Sequence, residues 1–299
     1  MMMNSEKNEM IREMERCREE VEDRLTGMFT EAGTSYATLV ESMRYSLLSG
    51  GKRVRAVICM KFCEAAGGRT EDVLNAACAI EMLHSYTLIH DDLPSMDGDD
   101  MRRGKPSNHI EYGEFTATLA GDALQATAFE AIANSPLPAD AVVEMIKILA
   151  YAAGPHGVCG GQYLDLSGEG WHLTIDELLE LYSMKTAALI SAAARLGVIA
   201  GNGTREQIDA ADEYAQAIGL AFQVRDDVLD CVATAEELGK PIGSDIENDK
   251  STFASLLGVE ACEKMIHKET DKAISAIENK FDNTEFLSWL AKILADRKN

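Results

Sequence analysis

The chain has 299 residues, 46% of them hydrophobic, enough to bury a sizeable core in one large domain. Its formal net charge of -22 excludes a nucleic-acid partner held by phosphate attraction. Its seven cysteines, Cys59 and Cys63 among them, form no pairing or ligand pattern, which points to reduced thiols in a cytoplasmic protein.

Residues 1–10 are polar and lack a signal-peptide core. No consecutive apolar run reaches the roughly eighteen residues of a membrane span, so stable membrane insertion is not expected. Ser5 to Glu31 reads as a charged amphipathic helix and Tyr36 to Leu48 as a second, stopped by Ser49-Gly50-Gly51. Three cations crowd into Lys52-Arg53-Val54-Arg55, ahead of an apolar run from Val57 to Ala66. Thr70 is placed as the cap of a helix that carries His84 into an aspartate-rich stretch, residues 90–105. Phe115 to Asn134 and Ala139 to Ala153 read as helices, the second broken by Gly154-Pro155. A helical stretch holding Gly160-Gly161-Gln162 reaches Asp165, where close helix packing and a site role weigh equally. Thr174-x-x-Glu177 and Thr204-x-x-Gln207 open two long helices, ending before Gly201 and at Asp230. Leu238 to Thr252 is a Gly- and charge-rich loop, and helices near Val259 to Asn279 and Glu285 to Asp296 finish the chain. Nothing alternates as strand and helix, and no repeat or linker divides residues 1–299, so the expected fold is a single all-α domain.

Several polar residues fall on faces that should be core. Lys185 sits inside the stripe Leu178, Leu181, Leu189 and needs an anion or open water, with Thr186 beside it. Gln223, Asp226, Asp227 and Asp230 lie at i, i+3, i+4 and i+7 between apolar flanks. His84, Leu88, Asp91 and Asp92 share a face by the same spacing. Two acidic clusters, Asp91-Asp92-x4-Asp97 and Asp226-Asp227-x-x-Asp230, thus sit at helix C-terminal ends, where carboxylate opposes the macrodipole. Facing each other, they would form jaws for magnesium, which shares its coordination with phosphate oxygens. The basic groups Lys52, Arg53, Arg55 and Arg102, Arg103, Lys105 would supply the remaining phosphate contacts. Asp99 and Asp100 read as a solvated loop.

These motifs resemble those of the trans-polyprenyl diphosphate synthases. Gly51-Lys52-Arg53-Val54-Arg55, the stretch Asp91 to Pro106, Gln223 to Asp230 and Leu238 to Asp245 with Lys250-Ser251-Thr252 occur in that family's order. Ala56 stands where proline is frequent and Ser107 where threonine is usual, and neither removes a charge. The resemblance implies a helical bundle around a deep cavity, usually a homodimer. It implies magnesium, roughly three ions per site, held by Asp91, Asp92, Asp97, Asp226, Asp227 and Asp230. It assigns Arg102, Lys185, Thr186, Gln223, Lys240 and Lys250 to an allylic diphosphate, and Gly51, Lys52, Arg55, His84 and Arg103 to isopentenyl diphosphate. The implied reaction ionises the allylic C–O bond, joins C1 to the double bond of isopentenyl diphosphate and loses a proton to the released diphosphate. Asp91, Asp92, Lys185, Thr186, Gln223 and Asp226 carry its chemistry. Tyr86 and Thr87, just before the first cluster, would floor the product cavity, and the aromatic at the fifth position before Asp91 resembles bacterial-type farnesyl diphosphate synthases, so the expected product is C15. Geranylgeranyl diphosphate synthase is the alternative. A terpene cyclase or a non-catalytic subunit fits less well, because both acidic clusters and a second basic site are intact.

Overall fold

The computed structural model describes residues 2–30, 35–168, 170–232 and 251–297. Helices α1 (Met2–Met28), α2 (Ala37–Leu47), α3 (Val54–Ala65) and α4 (Thr70–Asp91) come first. A short hairpin, β1 (Met101–Arg102) and β2 (Lys105–Pro106), follows. Then come α5 (Asn108–Tyr112), α6 (Glu114–Ala133), α7 (Ala139–Ala153), α8 (Val158–Ser167) and α9 (Ile175–Tyr182). A π-helical segment, Ser183–Ala187, joins α9 to α10 (Ala188–Ala200). The chain ends with α11 (Arg205–Val232), α12 (Phe253–Leu257), α13 (Val259–Ile277) and α14 (Glu285–Ala295). The expected all-α architecture holds, with the hairpin as its one two-stranded sheet among the described residues.

Helix α4 is the axis of the core. It is apolar nearly all round, and it packs on α3, α6 and α10. Around α1, Cys17, Val21 and Leu25 repeat every fourth residue and are fully buried, which docks the charged helix on α3 and α4. A second core of Leu178, Leu181, Tyr182, Val224, Val228 and Phe253 joins α9, α11 and α12 beside the second aspartate cluster.

Both capping boxes form. Thr174 Oγ1 accepts from Glu177 N and Glu177 returns to Thr174 N; Thr204 and Gln207 do the same. Thr70 does not cap α4: it is the first helical residue, Arg69 holds the extended cap position, and no side-chain cap bond forms there. The continuous helix over Ile175–Ala200 is long and apolar enough to cross a membrane by length and composition, and 61% of its most apolar window is buried within the protein.

Candidate active site

The first aspartate cluster is built by the end of α4. Asp91 is its last residue and Asp92 its cap. The following turn folds back, with Asp97 N donating to the Asp91 carbonyl at 2.9 Å. Asp92 is buried, and Arg102 grips it: Nε donates to Oδ1 at 2.9 Å and to Oδ2 at 3.3 Å, and a second guanidinium nitrogen reaches Oδ1 as well.

The hairpin explains why two adjacent arginines do different things. Arg103 and Gly104 both have positive φ, 52° and 74°, as a two-residue hairpin turn requires. Arg102 lies on the strand and points to Asp92. Arg103 sits in the turn and donates to the Gly50 carbonyl and to Ser49 Oγ.

An acidic-walled cleft of about 210 Å³ opens beside the first cluster. Asp97 lines one side and Gln223 and Asp227 line another, so the two clusters do share a cavity. Lys185 enters it from the π segment and meets the anion that its core position demanded, Asp165 of α8, at 2.5 Å. Thr186 Oγ1 donates to Gln223 Oε1 at 2.9 Å, which fixes the amide. Ser251 and Thr252 close another side; Lys240 and Lys250 lie outside the described residues.

A second, basic cleft of about 260 Å³ is lined by Gly51, Lys52, Arg55, His84 and Arg103, with Phe222 and Arg297 opposite. Burial lowers the pKa of Arg55 and of Arg103, and the buried Arg55 Nε has no hydrogen-bond partner. Burial first, then Arg55 and the neighbouring arginines, push His84 well below the ordinary imidazole range, so it is neutral. Cations assembled with so little counter-charge favour an anionic ligand. Arg53 borders this cleft, but its guanidinium turns inward to the Leu47 carbonyl at 2.6 Å, Glu81 at 3.3 Å and Glu22 at 3.5 Å.

Arg297 joins the two clefts. Its guanidinium stacks 3.6 Å over the Phe222 ring and pairs with Asp226. Asp226 and Asp230 are four apart on one helical face, while Asp227 turns into the second core. Sequence reasoning missed Asp165, Tyr182 and Arg297. Only Asp165 left a signal, as an acid in an apolar helix within reach of a core lysine.

Tyr86 is buried beneath the first cluster. Its hydroxyl lies 3.4 Å from Cys159 Sγ on α8, and its ring meets His90 edge-on at 5.5 Å. Six residues along α8 from Cys159 is Asp165, so Tyr86 and the Lys185 site face the same helix. Thr87 Oγ1 is spent on the His84 carbonyl at 2.8 Å.

The aspartates fit a hard divalent cation. Their donors are carboxylate oxygens alone. Burial pushes the Asp91 carboxyl up to about 7; Lys185 and Arg102 oppose this and Asp97 and Asp92 add to it. A buried carboxylate short of positive charge is what a cation would relieve. The tightest group of ligand-type atoms among the described residues lies elsewhere, at Glu13, Cys17 and Glu64. Lys61 and Arg16 already neutralise both of those glutamates, so that group is a structural tie between α1 and α3.

An all-α bundle holding an acidic-walled and a basic cleft side by side has the architecture of an isoprenoid synthase. The chain belongs to the polyprenyl synthetase family, whose model matches residues 36–293. It is 44% identical over 286 residues to the geranylgeranyl diphosphate synthase of Cyanophora paradoxa, with 94% of each chain covered. Among solved structures, the geranylgeranyl pyrophosphate synthetase of Pyrococcus horikoshii superposes with a TM-score of 0.89 at 31% identity, covering 98% of this chain and 99% of that one. An FPP/GFPP synthase of Zymomonas mobilis superposes at 0.86 with 32% identity, covering 96% and 99%. The protein is a prenyltransferase that joins prenyl diphosphates head to tail.

Proposed function

We propose that this enzyme makes geranylgeranyl diphosphate, extending allylic diphosphates with isopentenyl diphosphate in a magnesium-dependent reaction. The product length rests on its likeness to relatives bearing that name, among them a chloroplastic enzyme of Capsicum annuum at 45% identity over 264 residues. The two-substrate reading rests on one observation, the acidic-walled and basic clefts bridged by Arg297.

Asp91 and Asp97 on one wall and the Asp226–Asp230 cluster on the other would hold magnesium, which neutralises the leaving diphosphate. Lys185 and Arg102 add fixed positive charge to the same group. As the C–O bond breaks, positive charge grows on the allylic carbon. The Gln223 oxygen, held by Thr186, offers a partial negative charge in the same cleft. Lys52, Arg55 and Arg103 hold the second diphosphate, and neutral His84 contributes a hydrogen bond without adding charge. The lining of the first cleft includes neither histidine nor glutamate, so the departing diphosphate takes the proton.

A C15 product is the second reading, favoured by the bulk of Tyr86 under the first cluster. One assay separates the two. Purified enzyme is given magnesium, isopentenyl diphosphate and a C5, C10 or C15 primer, and the products are sized by chromatography. The expected result is a C20 product and acceptance of the C15 primer. Accumulation of C15 with no use of that primer would establish the second reading, and no condensation with any primer would refute both. In the same assay Tyr86→Ala is expected to lengthen the products by at least one C5 unit; unchanged lengths would remove Tyr86 from the floor.

We also propose a homodimer, supported by the exposed apolar face of Phe115 and Leu119 on α6 beside Val143 and Tyr151 on α7. A cytoplasmic location is in keeping with seven free thiols.

A further inference from the structure

We propose that Asp227 is a latch rather than a metal ligand, and that Tyr182 is a positioning residue for the reaction. The inference deepens the reading of the acidic-walled cleft as a cation-dependent diphosphate site and rests on it.

Asp227 is 3% exposed, the most enclosed member of its cluster. The Tyr182 hydroxyl lies 3.0 Å from each of its carboxylate oxygens. The backbone N–H of Phe253 donates to Oδ2 at 2.8 Å. One carboxylate therefore ties together α11, the end of α9 and the start of α12. The three residues also pack apolar surface, the Tyr182 and Phe253 rings lying 5.5 Å apart.

Position in the chain gives these bonds their meaning. Tyr182 is the last residue before the π segment that presents Lys185 and Thr186. Phe253 follows Ser251 and Thr252, which line the cleft. Ser251 extends the tie: its Oγ accepts from Leu173 N at 3.0 Å and donates to the Trp171 carbonyl at 3.3 Å, fastening the approach to α9. Thr252 caps α12 through a reciprocal box with Ser255.

Asp226 and Asp230 meanwhile share the other helical face, and the Asp226 side chain is 40% exposed. A ligand carboxylate needs a lone pair directed at open space. Asp226 meets that condition, whereas Asp227 has both oxygens committed to buried donors. The sequence pattern treated the three aspartates alike; the fold divides them into cleft-facing Asp226 and Asp230 and inward-facing Asp227.

The test compares Tyr182→Phe, Asp227→Asn and Asp226→Asn with the parent enzyme. Magnesium binding is measured by calorimetry in the presence of a non-ionising thio analogue of the allylic diphosphate. Amide exchange is followed over residues 183–187 and 251–257. Tyr182→Phe and Asp227→Asn are expected to keep the parent's number of bound magnesium ions, with affinity changed less than about threefold. Both are expected to speed exchange in the two segments together, and to lower kcat by about ten- to a hundredfold with KM for isopentenyl diphosphate unchanged. Asp226→Asn is expected to lose metal affinity by at least about tenfold. Loss of a bound ion in Asp227→Asn would overturn the latch. Exchange and kcat unaltered in Tyr182→Phe would do the same. Failure of the parent reading would appear differently, as no condensation by the unmodified enzyme, while the exchange comparison still decides the latch.

Discussion

Asp91→Asn is expected to lower kcat by about three orders of magnitude and, in the absence of magnesium, to raise the melting temperature at neutral and higher pH. The two effects have one cause. Asp91 closes α4, where the helix dipole and burial both disfavour a negative charge. Its carboxyl is pushed up to about 7, chiefly by burial, then against Lys185 and with Asp97. In the unfolded chain the same group ionises near its ordinary value of roughly 3.9. Between those values the folded protein holds the proton that the unfolded chain has lost. Stability contributed at this position is therefore greatest at low pH and falls as pH rises through that window. Asn carries no charge and removes the fall, a gain of about 2 kcal/mol at pH 8 once partial exposure is discounted. Magnesium has the complementary effect on the parent protein: its binding displaces the proton, so its stabilisation grows from pH 5 to pH 8. Scanning calorimetry at those two pH values, with and without magnesium, checks each sign. A metal-free Asp91→Asn protein less stable than the parent at pH 8, or one that retains activity, would remove Asp91 from the role given to it.

The parts of the site that sequence made legible are those set by local chemistry. Thr174 and Glu177, or Thr204 and Gln207, make their caps through contacts three residues apart, so spacing alone announces them. Lys185 was visible because a cation on an apolar face needs an anion, although not which anion: Asp165 lies twenty residues away and meets it only through helix packing. The turn at Arg103-Gly104 lacks the Asn-Gly or Asp-Gly signal, so its hairpin and the parting of Arg102 from Arg103 became physical only in three dimensions. Family resemblance assigned those two arginines to different substrates before any geometry accounted for it. Periodicity placed Gln223, Asp226, Asp227 and Asp230 on one face, but a band that wide has two edges. Tertiary contacts with Tyr182 and Phe253 turned Asp227 inward. Arg297 joined the site from outside every motif, brought back by the packing of α14 on α11.

Gly161→Ala is expected to cost more than its single methyl group implies, because of the π segment. A Cβ at Gly161 would fall 2.3 Å from Lys185 N, 2.6 Å from its Cα and 2.8 Å from its Cβ. Two of these atoms are backbone and cannot swing away. From the opposite side, a Cβ at Gly219 of α11 would lie 2.6 Å from Ala187 Cβ and 2.8 Å from its Cα. The turn that carries Lys185 and Thr186 is thus clamped between two glycines, and relief on one side is blocked by the other. A π turn is intrinsically unfavourable and persists where tertiary packing imposes it, often at functional sites. Overpacking of this kind costs about 1–3 kcal/mol, here at the upper end because backbone must move. The displacement separates Lys185 from Asp165 and Thr186 from Gln223, the contacts that order the first cleft. We expect kcat to fall at least about a hundredfold, with KM for the allylic substrate raised. KM for isopentenyl diphosphate should hold, since Lys52, Arg55, His84 and Arg103 stand on the N-terminal side of α3, on α4 and in the hairpin turn, away from the π segment. Gly27→Ala serves as the control: its added Cβ meets nothing within 4 Å, and removing glycine from α1 should leave activity intact while stabilising the helix by roughly 0.5–1 kcal/mol. Steady-state kinetics with each substrate varied, beside thermal melts, decides the matter. A Gly161→Ala enzyme with parental kcat and melting temperature would show that the clamp does not set the position of Lys185.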